Sequence, residues 1–459
     1  MIPAANTSPR SESLRSLVYP LYRSGTAFNH FLRRRIRPAG MGLLVVGIVI
    51  TCLAGGQATD SIFRLLSLGL SLGILALVML PFRRARLTVI RELPDHATAG
   101  ETVRLRYRVE NLGRRTIRHA WLSETPPDPR PSEERFLRAR EPGEDTRNAF
   151  DRAFSYYRWT WLCDRRLLFE AHESQRSIEL GPGEAGTYIG EIVPKRRGLV
   201  RFDDLRVLLP DPLGFYQRCV RVPTTPATLA VLPRRHRLPS FELPGSARFQ
   251  PGGDAASRNS GPSGEFVGLR DYRPGDPLRL IHWRSWARTG RPIVKELEDT
   301  FFPRHGLVLD TFPEAADEDL FEAAVSVAAS FVSSVDTREC LIDLMFISGR
   351  EQVVTAGRGT GRAETLLEVL AGVEASDVPE FDALARLVLR HAEDLAGCLV
   401  IFSGWSDARS QLLQRLHGAG IEIAAIVLCR EPPAARPPRV HFLRTASLAQ
   451  DLMRLPQQL

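Results

Sequence analysis

Two apolar runs near the N-terminus, residues 41–54 and 62–80, constrain this chain more than any other feature. Crossing the hydrocarbon core takes about 20 predominantly apolar residues. The second run has that length, and the first reaches it when extended through Gly40 and Gly55-Gly56. Only the short stretch 55–60 separates them, so residues 39–82 predict a transmembrane helical hairpin. Arginine clusters precede the first run (Arg33, Arg34, Arg35, Arg37) and follow the second (Arg83, Arg84, Arg86), whereas the connector has no Lys or Arg before Arg64. Basic flanks mark the cytoplasmic side, so both termini are expected there. Arg64 lies near the connector and can snorkel outward. Residues 1–38 are expected to be a basic cytoplasmic segment, poorly ordered up to the arginine cluster.

The formal charge of +8 at first suggests nucleic acid, but its location argues otherwise. Residues 1–38 hold seven arginines against one glutamate, and Arg83, Arg84 and Arg86 follow the second apolar run, leaving residues 87–459 close to neutral. Basic residues beside apolar spans face anionic lipid, so the expected partner is the lipid bilayer, with no nucleic acid. The six cysteines are scattered without metal-ligand spacing, and Cys340, Cys398 and Cys429 are expected to be buried free thiols.

From Leu87 the pattern alternates. Val103, Leu105, Tyr107 and Val109 point one way and Arg104, Arg106, Arg108 and Glu110 the other, which makes the arginines a solvated face of a strand. Similar runs between turn residues predict an immunoglobulin- or fibronectin-like β-sandwich over 87–235. It is interrupted by an insertion at about 126–172 whose aromatic centre, 150–161, reads equally as a helix or as a docking surface. Residues 236–304 form a linker, rich in Pro, Gly and Ser over 239–264, followed by a dense segment at 265–298.

After Arg304 strands and helices alternate. Strands are expected at 306–310, 340–347, 398–402, 421–428 and 440–443, with a short edge strand at Val353-Val354; helices are expected at 313–334, 363–370, 381–391, 411–417 and 448–455. This order predicts an α/β doubly wound domain over 305–459. The fold class is thus multidomain, with a transmembrane hairpin, a β-sandwich and an α/β domain.

The densest chemistry lies in 265–298, EFVGLRDYRPGDPLRLIHWRSWARTGRPIVKELE. Arg273-Pro274-Gly275 predicts a turn, Asp276 a helix cap, and Pro277 the first position of a helix over 277–287. On such a helix Leu278, Ile281 and Trp286 share a face, and Arg279 can stack on Trp283 four residues later. A strand is expected over 292–297.

This segment resembles the signature of the bacterial family called domain of unknown function 58. The correspondence falls on Gly268, Leu269, Arg270, Tyr272, Gly275, Asp276, Arg279, Ile281 and Trp283, then Ala287, Arg288 and Gly290, then Val294, Lys295 and Glu296. Arg196 to Val200 and Asp211 to Phe215 resemble further landmarks of the family, although Arg-Gly turn chemistry and an Asp-Pro turn before an edge strand also account for them. The resemblance implies a von Willebrand A-like domain at 305–459, and a MoxR-type AAA+ ATPase as partner. It points to Arg270, Tyr272, Asp276, Arg279, Trp283, Arg288 and Lys295 as interaction candidates. Domains of the von Willebrand A type often hold a divalent cation on Asp-x-Ser-x-Ser. Here the matching place reads Asp310-Thr311-Phe312-Pro313-Glu314, a degenerate site at Asp310, Thr311 and Glu314 from which no metal is expected.

No catalytic residue is assigned and no cofactor is expected. The stretch 356–361 lacks the Gly-Lys-Ser/Thr ending of a phosphate loop and reads as a turn. Ser403 has Ile401 and Trp405 where a nucleophile elbow needs glycines. His282 is the best candidate for acid/base work. The reading favoured is a cytoplasmic protein-interaction module held on the bacterial inner membrane, an adaptor or partner of the ATPase in envelope-related or complex-assembly processes. The rivals are an enzyme of envelope or polysaccharide assembly using Asp276, His282 and the arginines, and a purely structural membrane scaffold.

Overall fold

The first element corrects the expectation of a loose leader. In the computed structural model, which describes residues 9–54, 60–245, 265–298, 303–313, 317–335, 340–357, 363–376, 381–433 and 437–455, Pro9–Arg35 is a 27-residue helix, α1. The chain divides into two units, Met1–Arg234 and Arg235–Leu459.

In the first unit α1 is followed by helices α2 (Pro38–Ala54) and α3 (Asp60–Met79). Strands β1 (Leu87–Glu92), β2 (His96–Thr98), β3 (Val103–Asn111) and β4 (Ile117–Glu124) come next. Three short helices, α4 (Glu133–Arg138), α5 (Ala149–Phe154) and α6 (Tyr156–Arg166), interrupt them. The strands resume with β5 (Phe169–Ala171), β6 (Ile178–Leu180), β7 (Ala185–Pro194), β8 (Gly198–Phe202), β9 (Leu205–Pro210), β10 (Gln217–Arg221) and β11 (Ala227–Leu232). They form sheets of order β1-β3-β7-β5, β10-β9-β4-β6 and β2-β11-β8. The strict alternation of β3 puts Val103, Leu105, Tyr107 and Val109 inside and its arginines outside. One apolar core gathers Leu105 from the first sheet, Leu122 and Val207 from the second and Val231 from the third.

The insertion is both a set of helices and a docking surface, and its ligand is α1. Tyr19 and Tyr22 pack on Phe136 of α4 and on Trp159 and Leu162 of α6. Tyr22 donates to Phe154 O at 3.1 Å, and the Trp159 indole N–H to Thr26 Oγ1 at 3.0 Å. Arg158 is buried, its guanidinium gripping both oxygens of Glu144 and donating to Phe136 O at 3.1 Å. Arg15 of α1 reaches the same Glu144 at 3.3 Å. Burying a carboxylate costs free energy unless it is paired and hydrogen-bonded in this way. The order of α1 is therefore tertiary, supplied by residues more than a hundred positions downstream.

Among the described residues one helix is long and apolar enough to cross a membrane, Phe63–Phe82; α2 is a shorter apolar helix. Leu43 of α2 packs over Gly69 and Gly73 of α3, where a Cβ would come within 3.4 and 3.9 Å of its methyl groups. Both helices are footed on the β9–β10 turn, which is more than a simple kink. Buried Asp211 accepts N–H bonds from Leu213 (2.7 Å), Gly214 (3.0 Å) and Tyr216 (2.5 Å). Phe215 O, held out by that turn, accepts from Arg37 N at 3.0 Å. A Cβ on Gly40 would lie 2.2 Å from the same oxygen, so only glycine fits at the start of α2. On the α3 side, Arg83 Nε donates to Pro210 O at 2.9 Å and Arg218 to Pro81 O at 3.0 Å.

The second unit opens with a two-stranded piece, β12 (Glu265–Asp271) and β13 (Ile293–Glu298), with helix α7 (Trp283–Thr289) between them. Then follow β14 (Arg304–Leu309), α8 (Glu318–Ser334), β15 (Leu341–Ser348), β16 (Arg350–Ala356), α9 (Ala363–Gly372) and α10 (Phe381–His391). The unit ends with β17 (Gly397–Ser403), α11 (Asp407–Gly418), β18 (Glu422–Cys429), β19 (Val440–Arg444) and α12 (Leu448–Leu452). The sheet order is β16-β15-β14-β17-β18-β19, parallel except for edge strand β16. Central strand β17 is buried along its whole length, as a strand covered on both faces must be. Residues of α10 and α11 pack with Val308, Val400 and Phe402 in one apolar cluster. Cys340, Cys398 and Cys429 are buried thiols outside any disulfide, and burial pushes the Cys398 thiol up to about 12.

Candidate functional site

The segment 265–298 folds as a two-stranded hairpin that encloses a short helix. β12 and β13 pair antiparallel with Arg270 opposite Val294 and Leu269 opposite Lys295. Tyr272 N donates to Pro292 O at 2.9 Å, closing the hairpin neck. The excursion between the strands folds back: Ile281 bridges to Val294, and His282 N donates to Ile293 O at 2.8 Å. Ile281 and Val294 are buried beneath it. Among the residues of the module whose burial is described, these two are the buried apolar ones.

The expected helix over 277–287 does not form, and Asp276 is not its cap. Arg270 reaches across the turn and donates to both Asp276 oxygens at 2.7 Å, while Arg273 N donates to Oδ2 at 2.8 Å. Gly275, at φ +107°, allows the bend. With its carboxylate committed to a bidentate fork, Asp276 has nothing left for a helix N-terminus, and Pro277 leaves the turn extended at ψ 124°. One 3-10 turn (Leu278–Leu280) follows, and α7 starts only at Trp283. Arg270 and then Arg273 N–H hold the Asp276 carboxyl down to about 2, below the ordinary 3.8.

Because the chain is extended at Ile281, the four-residue helical spacing from Arg279 to Trp283 is lost. Trp283 stacks instead on Trp286, with ring centroids 5.2 Å apart and an interplanar angle of 20°. Trp283 is 63% exposed and Leu278 67%. On the same segment Arg279, Arg284, Arg288, Arg291 and Lys295 are exposed. Of the candidates read from sequence, Arg270 and Asp276 are joined directly and Tyr272 serves the hairpin neck through its backbone. Arg279, Trp283, Arg288 and Lys295 are presented to solvent on the same module.

His282 binds Ser285 Oγ through Nδ1 at 2.7 Å. His282 immediately precedes α7 and Ser285 lies in its first turn, and among the described residues no carboxylate orients the ring from its other nitrogen. The pair therefore lacks the third member that makes a nucleophile and base, and its position at the helix start makes it a local brace. Thr289 Oγ1 donates to Ser285 O at 2.9 Å, and Gly290 ends the helix at φ +71°.

The second candidate, Asp310, lies at the C-terminal end of β14, beside the end of β17, where a doubly wound sheet usually places a ligand. Its pocket is filled from within the chain. Arg409 Nε donates to Asp310 Oδ2 at 2.8 Å, Ser403 N to the same oxygen at 3.1 Å and Phe312 N to Oδ1 at 2.9 Å. Arg409 Nη2 also donates to Phe312 O at 2.6 Å. Thr311 turns away, its hydroxyl donating to Ile347 O at 2.6 Å. Glu314 lies outside the described residues. Burial pushes the Asp310 carboxyl up from its ordinary range against the opposing pull of Arg409 and the N–H groups. Among the described residues no group of three or more His, Cys, Asp or Glu side chains is arranged to hold a metal. Sequence reading missed Arg409. The available signal was a lone arginine in the first turn of the helix after β17, two residues beyond Asp407 in an otherwise ordinary amphipathic pattern.

Over 147 residues the chain is 30% identical to the Uncharacterized protein YeaD of Bacillus subtilis (strain 168), covering 32% of this chain. The chain spans only about a third of that relative, 35% of its length. Among solved structures, native alpha-2-macroglobulin from Escherichia coli aligns at a TM-score of 0.17 and 11% identity, covering 68% of this chain and 43% of the other. A GH20 exo beta-N-acetylglucosaminidase from Vibrio harveyi aligns at 0.15 and 10%, covering 79% and 58%. Scores this low carry no argument about fold or activity. The informative match starts at the first glycine of the signature: residues 268–440 match the family described as Protein of unknown function DUF58.

Proposed function

We propose that the protein is a membrane-anchored cytoplasmic adaptor whose 265–298 module docks a MoxR-type AAA+ ATPase. The observation that carries this reading is exposed Trp283, stacked on half-buried Trp286, on the same segment as the exposed Arg279, Arg284, Arg288 and Lys295. Trp and Arg are the residue types enriched at interface hot spots. In the same reading α2 and α3 are a two-span hairpin of the bacterial inner membrane with both termini cytoplasmic, on the strength of the flanking arginines. The strands over 87–235 are a β-sandwich, with their single shared core in support. The α/β sheet over 305–459 is a von Willebrand A-like domain, for which its doubly wound strand order speaks.

In this account the Asp310 pocket is structural, because an internal guanidinium satisfies the carboxylate that a divalent cation would use. The enzyme reading has the His282–Ser285 contact in its favour and, among the described residues, no orienting third group. Affinity isolation of the full chain from detergent-solubilised membranes, probed for the ATPase by mass spectrometry, tests the adaptor reading. Co-isolation that depends on Trp283 is the expected result, and its absence from wild-type protein would count against the proposal.

A further inference from the structure

α1 has a second face. Leu17, Leu21, Phe28 and Phe31 recur at intervals of four, seven and three residues, which lines them along one stripe of a helix. All four are exposed, from 54% at Phe31 to 73% at Leu17. Tyr19, Tyr22 and Thr26, which contact the insertion, lie on the opposite side. At the C-terminal end of the stripe is a cavity of about 230 Å³ whose lining includes His30, Phe31, Arg34, Arg35, Arg206 and Cys219.

The charges of this cavity are unbalanced. Arg206 is committed to Asp204 at 2.7 Å, and nearby Asp128 to Arg130 at 2.6 Å. Arg34 and Arg35 have no hydrogen-bond or ion-pair partner for their guanidinium groups among the described residues, and Arg35 lies over the Phe31 ring at 5.4 Å. Arg34 is partly buried, and that desolvation together with Arg206 lowers its pKa. Glu173, the other acid that acts on this cluster, is exposed. Three arginines line this cavity, Arg34, Arg35 and Arg206; Asp204 bonds Arg206 and also acts on Arg34, so one carboxylate is set against three guanidinium groups and the excess of positive charge forms an anion site. Only Ile36 and Arg37 separate Arg35 from α2, so the site adjoins the chain's entry into its apolar helices.

We propose that α1 lies on the membrane surface, with Leu17, Leu21, Phe28 and Phe31 in the acyl boundary and the phosphate of an anionic phospholipid held at Arg34 and Arg35. The inference rests on the membrane-anchoring reading above. A lipid is favoured over free phosphate because the anion site and the apolar stripe share Phe31; a soluble anion would have no use for the stripe. Interfacial helices combine an apolar stripe with basic residues in this way.

Photocrosslinking of the full chain in nanodiscs of phosphatidylglycerol and phosphatidylcholine tests the placement. Benzoylphenylalanine is introduced singly at Leu21, at Phe28 and, as an anchoring control, at Leu70 of α3, and lipid adducts are read by intact mass. Adducts at all three positions are expected. An adduct at Leu70 with none at Leu21 or Phe28 overturns the inference while leaving the anchor intact, and no adduct at Leu70 overturns the anchoring reading itself. Native mass spectrometry then compares phosphatidylglycerol retention by wild type and by Arg34→Gln/Arg35→Gln of unchanged melting temperature. Each arginine removed should weaken retention about fivefold. Undiminished retention, or displacement of the lipid by inorganic phosphate at equal concentration, would overturn the lipid assignment.

Discussion

Two aspartate–arginine pairs in the second unit behave in opposite ways. Asp310 and Arg409 are buried, with side-chain exposures of 0% and 5%, between elements 99 residues apart. Asp276 and Arg270 are six residues apart and hold a surface turn, with exposures of 15% and 33%. The first pair occupies the place where the fold would bind a ligand, and it leaves that place full. The second shapes a loop that presents aromatic and basic side chains outward. Pairing is therefore no guide to function by itself; what matters is what the pair leaves exposed.

Breaking the buried pair should have the largest effect. Arg409→Ala strands the Asp310 carboxylate in the core, and removing one partner of a buried pair costs about 3–5 kcal/mol. Urea denaturation of the variant checks this. Millimolar Mg²⁺ should not restore the wild-type midpoint; full restoration would make the site a cation site after all.

Next comes the exposed tryptophan. Trp283→Ala should weaken ATPase binding by about 2 kcal/mol or more if it is a hot spot, while costing no more than about 0.5–1.5 kcal/mol of stability for the lost aromatic stack. Equilibrium binding alongside melting separates the two. A large stability loss with unchanged binding would make Trp283 a core residue and reverse the comparison.

The turn pair should be gentler and acid-sensitive. The Asp276 carboxyl sits at about 2 in the fold against an ordinary 3.8, so its contribution is fully present above about pH 4 and is lost as pH falls through 2. Amide exchange at Arg273, whose N–H the carboxylate accepts, should accelerate beyond the intrinsic trend across that window. Asp276→Asn should flatten the response. Smallest of all, Arg279→Ala should change stability by less than about 0.5 kcal/mol, as thermal melting would show.

Much of this was legible because the patterns were long. The period-two run of β3 and the apolar strands β14, β17 and β18 announce themselves, since a buried face or a fully buried strand leaves few alternative registers. Features set by distant partners were not legible. α1 looked like a loose basic leader because Tyr19 and Tyr22 become meaningful only against Phe136 and Trp159. Asp276 looked like a helix cap because Asp-Pro is a local cap signal, whereas Arg270 claims the same oxygens through space. Arg409 carried no motif of its own. The candidate site was legible as a list of residues, and the structure added which of them are used internally and which remain exposed.

Hydrogen exchange on the full chain, with and without the ATPase, tests the central claim most directly. Slowed exchange confined to residues 272–292, with β14 and the Asp310 loop unchanged, is what the account predicts. Unchanged exchange at 272–292 while the ATPase is bound, or protection at residues 309–313 instead, would contradict it.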